Sequence, residues 1–210
     1  MFDAVILAGG RAERLGGVDK PGLEVGGVPM AANVAAAARD AARTTAGSDG
    51  GRVIVVGPPR AIPDAVFVRE DPPGAGPVPA LRAGLAEVTA PWVILLAADL
   101  PFLAPPHLAI LLERTGDPAS RQAAMAADPG VRAGTEVRGV VAVDGDGREQ
   151  WLLGVWQAAA LRQALAAYED RSLRGLLGPL ADRRVPLPRE AWFDCDTGDD
   201  LKEARNERAR

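Results

Sequence analysis

The sequence predicts an α/β domain with a mostly parallel central sheet and helices on both faces. Three observations carry this reading. Short, mainly apolar runs recur at 2–8 (FDAVILA), 52–56 (RVIVV) and 92–98 (WVILLAA), and runs of this kind suit strands covered on both faces. The runs alternate with stretches of helical length, which implies βαβ units. Two of them end abruptly in residues with chemical potential, Gly9-Gly10 after the first and Asp99-Leu100-Pro101 after the third. In open parallel sheets, ligands bind at the carboxyl ends of strands.

The first run reads as a buried strand feeding a loop. Residues 29–43 read as a helix, with Pro29 in its first turn, where its missing N–H costs nothing. The second strand is stopped by Gly57-Pro58-Pro59, and residues 66–69 read as a short third one. Residues 77–88 and 106–114 read as helices on either side of the 92–98 strand. The stretch 115–138 is polar and rich in Gly, Ala and Pro, so a long loop or a weak helix is expected there. Residues 139–143 and 151–156 are separated by Asp144-Gly-Asp-Gly147, a turn signal that predicts an antiparallel hairpin or a pair of edge strands. Residues 161–168 and 172–180 read as helices, and 201–208 as a terminal helix. No internal repeat or break in composition divides the chain, so one domain over residues 1–210 is expected, close to ordinary domain length.

Composition excludes several classes. A net charge of -4 argues against a general nucleic-acid binder. With Cys195 the only cysteine, no intramolecular disulfide can form, and a reducing cytoplasm is the natural setting. Residues 1–10 lack a basic n-region and a long apolar stretch, so neither a signal peptide nor a membrane span is expected.

The most informative stretch is Leu7-Ala-Gly-Gly-Arg-Ala-Glu-Arg-Leu-Gly-Gly-Val-Asp-Lys20. Its four glycines let backbone N–H groups approach a ligand, and Arg11, Arg14 and Lys20 add positive charge. Glycines and cations after a buried strand suggest a triphosphate cradle. It is not a P-loop, because G-x-x-x-x-G-K-[ST] is absent and Lys20 precedes Pro21. It is not a dinucleotide fingerprint either: Gly74-Ala-Gly76 has Pro79 where the third glycine belongs. A flexible surface turn with solvated charges is the plain structural reading.

The full pattern resembles the signature of the molybdenum cofactor guanylyltransferases, within a nucleotidyltransferase superfamily of Rossmann-like fold. The Gly-Gly-x-Asp-Lys ending, Gly16 to Lys20, is the part closest to the guanylyltransferase branch. The resemblance implies that Leu7, Ala8, Gly9 and Gly10 meet the guanine and ribose, and that Arg14 and Lys20 hold the phosphates. Glu70-Asp71-Pro-Pro-Gly-Ala-Gly-Pro77 resembles the family's D-x-x-x-G-x-G-P segment, and by that resemblance Asp71 is assigned to the base; read alone, Asp-Pro-Pro-Gly is strong turn chemistry. Asp99-Leu-Pro101 resembles the family's D-x-P segment and assigns Asp99 to Mg²⁺, a cation that takes few protein ligands and bridges phosphate oxygens. Asp194-Cys-Asp-Thr-Gly-Asp-Asp-Leu201 resembles N-x-N-T-P-E-[DE]-L and places Asp196 near the metal or the phosphates, while Thr197 to Asp200 also fits a helix-capping box.

The chain departs from the family at Gly57, where an asparagine is common, and at Asp194 and Asp196, where asparagine is again common. Arg171 and Arg174 fit a solvated helix face, His107 a surface helix, and Trp151, Trp156 and Trp192 the core. The implied reaction moves GMP from GTP to the phosphate of a molybdopterin-type acceptor in the cytoplasm, with Arg14, Lys20 and Asp99 as the catalytic groups and transient contact with other proteins of molybdenum cofactor synthesis. Two alternatives stand beside it: a relative using CTP or another phosphorylated acceptor, and a nucleotide-binding regulator without turnover. The presence of both Asp99 and Lys20 argues against the regulator.

Overall fold

The computed structural model describes residues 1–9, 18–46, 51–116 and 137–209. The first strand, β1 (Phe2–Leu7), is an interior strand, third in a seven-stranded sheet. A two-residue hairpin, β2 (Glu24–Val25) and β3 (Val28–Pro29), then leads into α1 (Met30–Ala46). Next come β4 (Val53–Val56), β5 (Ala65–Val68), α2 (Pro77–Ala86), β6 (Trp92–Ala97) and α3 (Pro105–Glu113). The remainder is β7 (Gly139–Val143), β8 (Glu149–Gln157), α4 (Ala158–Ala166), α5 (Leu173–Leu177), β9 (Arg183–Pro186), α6 (Arg189–Trp192) and α7 (Gly198–Arg208). The strand order is β5-β4-β1-β6-β8-β7-β9, and every pairing is parallel except those of β8 with β6 and β7.

The α/β expectation holds, and the apolar runs explain it. Along β1, Phe2, Ala4 and Ile6 point into one core and Val5 and Leu7 into the other. The same split places Ile94 and Leu96 of β6 on one face and Val93 and Leu95 on the other. Alternation in direction with apolar side chains on both faces is what a doubly covered strand requires. The first core is closed by α1 and α3, the second by α2, α4 and α5. Asp3 is buried within β1, where its carboxylate accepts from the N–H groups of Arg52, Thr89 and Ala90 at 2.8, 2.7 and 2.9 Å. It ties the starts of β4 and β6 to β1, so its burial is compensated.

The 139–157 hairpin forms, but it is not at the edge. β8 inserts between β6 and β7, and β9 takes the edge beyond them. β9 went unread because Arg183-Arg-Val-Pro186 carries one buried apolar residue. The β2–β3 hairpin also went unread, although Gly26 and Gly27 have φ of 63° and 76°, the left-handed pair that a tight hairpin turn needs. Pro29 consequently ends β3, and the helix starts one residue later. Most of the 115–138 expectation lies outside the described residues. Among the described residues no helix is long and apolar enough to cross a membrane.

Trp156 is fully buried, and its ring lies across Gly139 and Gly154. A Cβ at Gly139 would run into that ring and come within 2.7 Å of the Leu180 carbonyl oxygen. Gly139→Ala is therefore expected to destabilise the fold by about 1–3 kcal/mol through overpacking. Denaturant titration of the variant checks this; an unchanged midpoint would show that the ring can move aside.

Candidate active site

The carboxyl ends of β5, β4, β1 and β6 surround a cavity of about 780 Å³. Leu7, Ala8 and Gly9 line it from β1, Gly57 from β4, Arg69 and Glu70 from β5, and Asp99 from β6. Gly76 and Pro77 bring the start of α2 to the same wall. These are the strand ends at which the sequence pattern places a ligand. Gly57 shows why its wall is bare backbone. Its φ is 153°, and a Cβ there would stand 2.9 Å from the Ala8 carbonyl oxygen. The asparagine common in the resembled family would have to shift that main chain.

Asp99 sits just past the end of β6, and Asp196 arrives from the opposite end of the chain. Residues 193–196 are held by a third small core in which Phe193, Cys195, Leu201 and Ala204 pack against Val25 and Met30. Burying Cys195 turns its neighbours Asp194 and Asp196 outward. Thr197 then caps α7: its hydroxyl accepts from the Asp200 N–H at 3.2 Å, and Asp200 accepts from the Thr197 N–H at 2.6 Å. The helix-capping box forms, and the same turn leaves the Asp196 carboxylate within reach of Lys20.

Lys20 joins the two halves. Its Nζ lies 2.5 Å from Asp99 Oδ2 and 2.5 Å from Asp196 Oδ1. The side chain is 14% exposed. Burial pulls the ammonium's pKa down, but the facing carboxylates, Asp99 first, outweigh it and raise the pKa, so the lysine carries its charge at neutral pH. Asp194 reaches solvent on one side, yet desolvation in the crowded cluster, then the charges of Asp196 and Asp99, push its pKa up. Burial, then the Asp99 carboxylate, pushes the Cys195 thiol up to about 12, so it is no nucleophile at neutral pH.

Several further groups, to which the sequence pattern assigned no role, shape the cavity. Glu70 is buried, and its Oε1 accepts from the Gly74 N–H at 2.8 Å. Asp71, the residue assigned to the base by resemblance, is exposed and is not among the cavity-lining residues. Arg60 enters from the loop after β4 and forms a two-pronged ion pair with Asp19, with Nη2 2.6 Å from Asp19 Oδ1 and Nη1 on Oδ2. An arginine beyond a Pro-Pro turn carries no sequence mark of this role. Gly10 and Arg14 lie outside the described residues. His107 is apart from the site: its Nδ1 accepts from the Ala104 N–H at 3.2 Å at the start of α3.

Among the described residues no group of three or more His, Cys, Asp or Glu is arranged to hold a metal ion. Two carboxylates, however, converge on one cationic nitrogen. That oxygen-only, two-carboxylate donor set fits a Mg²⁺ whose remaining ligands are water and phosphate.

A mostly parallel sheet with a cavity at the carboxyl ends of its strands, and a lysine shared by two aspartates at that cavity's edge, fit a protein of the nucleotidyltransferase class. The chain belongs to the MobA-like NTP transferase domain family, whose model matches residues 4–185. It is 34% identical over 113 residues to a protein named probable molybdenum cofactor guanylyltransferase from Natronomonas pharaonis, covering 52% of this chain and 55% of that one. A protein of the same name from Nostoc sp. is 36% identical over 107 residues, covering 48% and 46%. The chain thus spans about half the length of the curated relatives it matches. A nucleotidyl transferase structure from Methanothermobacter thermautotroptrophicus superposes with a TM-score of 0.72 at 19% identity, covering 100% of this chain and 98% of that one, a likeness of fold.

Proposed function

We propose that this protein transfers GMP from GTP to the phosphate of a molybdopterin-type acceptor and releases pyrophosphate. The observation that carries the reading is Lys20 Nζ held between Asp99 and Asp196 at the cavity edge, where β6 ends. Family membership and the names of the two matched relatives support the guanylyl group and the acceptor. The same reading makes the protein a cytoplasmic one, working beside other proteins of molybdenum cofactor synthesis.

The chemistry asks little of acid–base groups. A phosphate monoester has its second pKa near about 6, so the acceptor oxygen is already ionised and attacks the α-phosphorus without a general base. The bond to the bridging oxygen breaks, and pyrophosphate leaves with the electron pair. A neutral Cys195 and a distant His107 agree with this. Catalysis is then positioning and charge stabilisation. Asp99 and Asp196 would hold Mg²⁺, which when bound neutralises charge on the phosphate oxygens. Lys20 exchanges its carboxylate partners for the departing pyrophosphate, which Arg14 also meets. Leu7 to Gly9 offer backbone groups to the base and ribose.

Guanine presents an N1–H and an amino group, and a carboxylate accepts both. Two acidic groups stand at that end, Asp71 at the surface and Glu70 in the wall. GTP is therefore expected to bind more tightly than ATP or CTP by a factor on the order of 10³ or more. Competition calorimetry with the three nucleotides, repeated on Asp71→Ala and Glu70→Gln, checks this. Whichever substitution erases the preference names the reader. Tighter binding of CTP would move the protein to a cytidylyl-transfer role and overturn the guanylyl assignment.

A further inference from the structure

We propose that the Asp19–Arg60 pair is a positioning device that aims Lys20 into the site; this rests on the nucleotidyl-transfer reading. Arg60 is only 11% exposed, although it stands at the rim of the sheet. Both terminal nitrogens point at the Asp19 carboxylate, and Nη2 also comes within 3.5 Å of the Ala8 carbonyl oxygen. Its Nε is buried without a hydrogen-bond partner. The guanidinium is thus committed to holding Asp19 against the end of β1, in the planar fork geometry that lysine cannot reproduce.

Asp19 directly precedes Lys20, and its carbonyl accepts from the Gly22 N–H at 3.0 Å to start the tight turn Lys20–Gly22. Gly22 leaves room for the pair: a Cβ there would lie 2.5 Å from Asp19 Oδ2 and 3.3 Å from Arg60 Nη1, so one of those side-chain ends would have to shift. Gly22, directly after Lys20-Pro21, is a residue that by itself leaves the backbone a wide choice of conformations. An ion pair to the neighbouring strand's loop removes that freedom before any ligand binds. Pre-organisation of this kind lowers the cost of assembling a transfer site. The pair also gives the Asp of the Gly-Gly-x-Asp-Lys motif a physical role distinct from ligand contact.

The chain has only two lysines, Lys20 and Lys202, and Lys202 is 75% exposed. That makes a test independent of turnover. Brief acetic anhydride labelling followed by mass spectrometry reads the acylation of Lys20 relative to Lys202 in the full-length protein. In Arg60→Ala and in the isosteric Asp19→Asn, the Lys20/Lys202 ratio is expected to rise about tenfold, the scale of losing a charge-assisted pair. Arg60→Lys should fall between these variants and the wild type. Global unfolding of Arg60→Ala would show as a lost thermal transition, and Asp19→Asn then decides.

Single-turnover rates supply the second arm. Arg60→Ala is expected to slow pyrophosphate release by about 10- to 100-fold, and to add less than about twofold in a Lys20→Ala background, since it acts through that lysine. An unchanged labelling ratio in folded variants overturns the proposal. So does a full, multiplicative loss in the Lys20→Ala background, which would make Arg60 a direct ligand contact. A wild type that binds no GTP and releases no pyrophosphate, with the labelling ratio still raised in the variants, would instead sink the functional reading and leave the positioning intact.

Discussion

Asp99→Asn is expected to reduce turnover by about 10³-fold while leaving the fold in place. Asn keeps the shape of the side chain and removes its charge. The residue lies past the end of β6, outside the strand ladder, and its side chain is 20% exposed, so no core packing is lost. What disappears is one of the two carboxylates that converge on the cation position at the cavity edge. Preorganised charge in such a site is worth about 10²–10³ in rate for one neutral donor, and a charged metal ligand belongs at or above the upper end. Single-turnover assays in excess Mg²⁺, with thermal unfolding as the control, give the measurement. A near-normal rate would remove Asp99 from the metal role.

Lys20→Ala is expected to move two quantities in opposite directions. Turnover should fall by about 10²-fold or more, because negative charge builds on pyrophosphate in the transition state and the ammonium that would meet it is gone. GTP affinity should also weaken. The affinity of the nucleotide-free protein for a divalent cation should rise, since Asp99 and Asp196 then face each other without a counter-ion. Arg14→Ala should share the first effect and not the second. Calorimetric titration with Mn²⁺ in the absence of nucleotide, beside GTP titration and single-turnover kinetics, separates the two. Wild-type rates and GTP affinity in both variants would show that the loop is no phosphate cradle.

Much of the fold was legible because it rests on local rules. Apolar runs such as Val93 to Leu96 can only be buried on both faces, and the glycine-proline stops after them mark where each strand must end. The site's ingredients were legible for the same reason. Gly9 and Asp99 stand at those stops, the roles of Lys20 and Asp99 were implied by the family resemblance, and Thr197 with Asp200 announces its own helix start. β9 and the β2–β3 hairpin were not legible, because two or four residues with a single buried side chain present no periodicity.

The sequence by itself determined the α/β class, the position of the strand ends and the residue types that gather there, since hydrophobic burial and backbone stereochemistry act over neighbouring residues. Only the tertiary structure decided which of those residues meet. Lys20 and Asp196 stand 176 residues apart and are joined by a small core around Met30 and Cys195. Arg60 reaches Asp19 across the gap between the first two sheet connections. Glu70 turns into the cavity wall while its neighbour Asp71 faces solvent. Such contacts are set by how the layers pack, and packing couples residues through space without leaving any spacing in the chain to read.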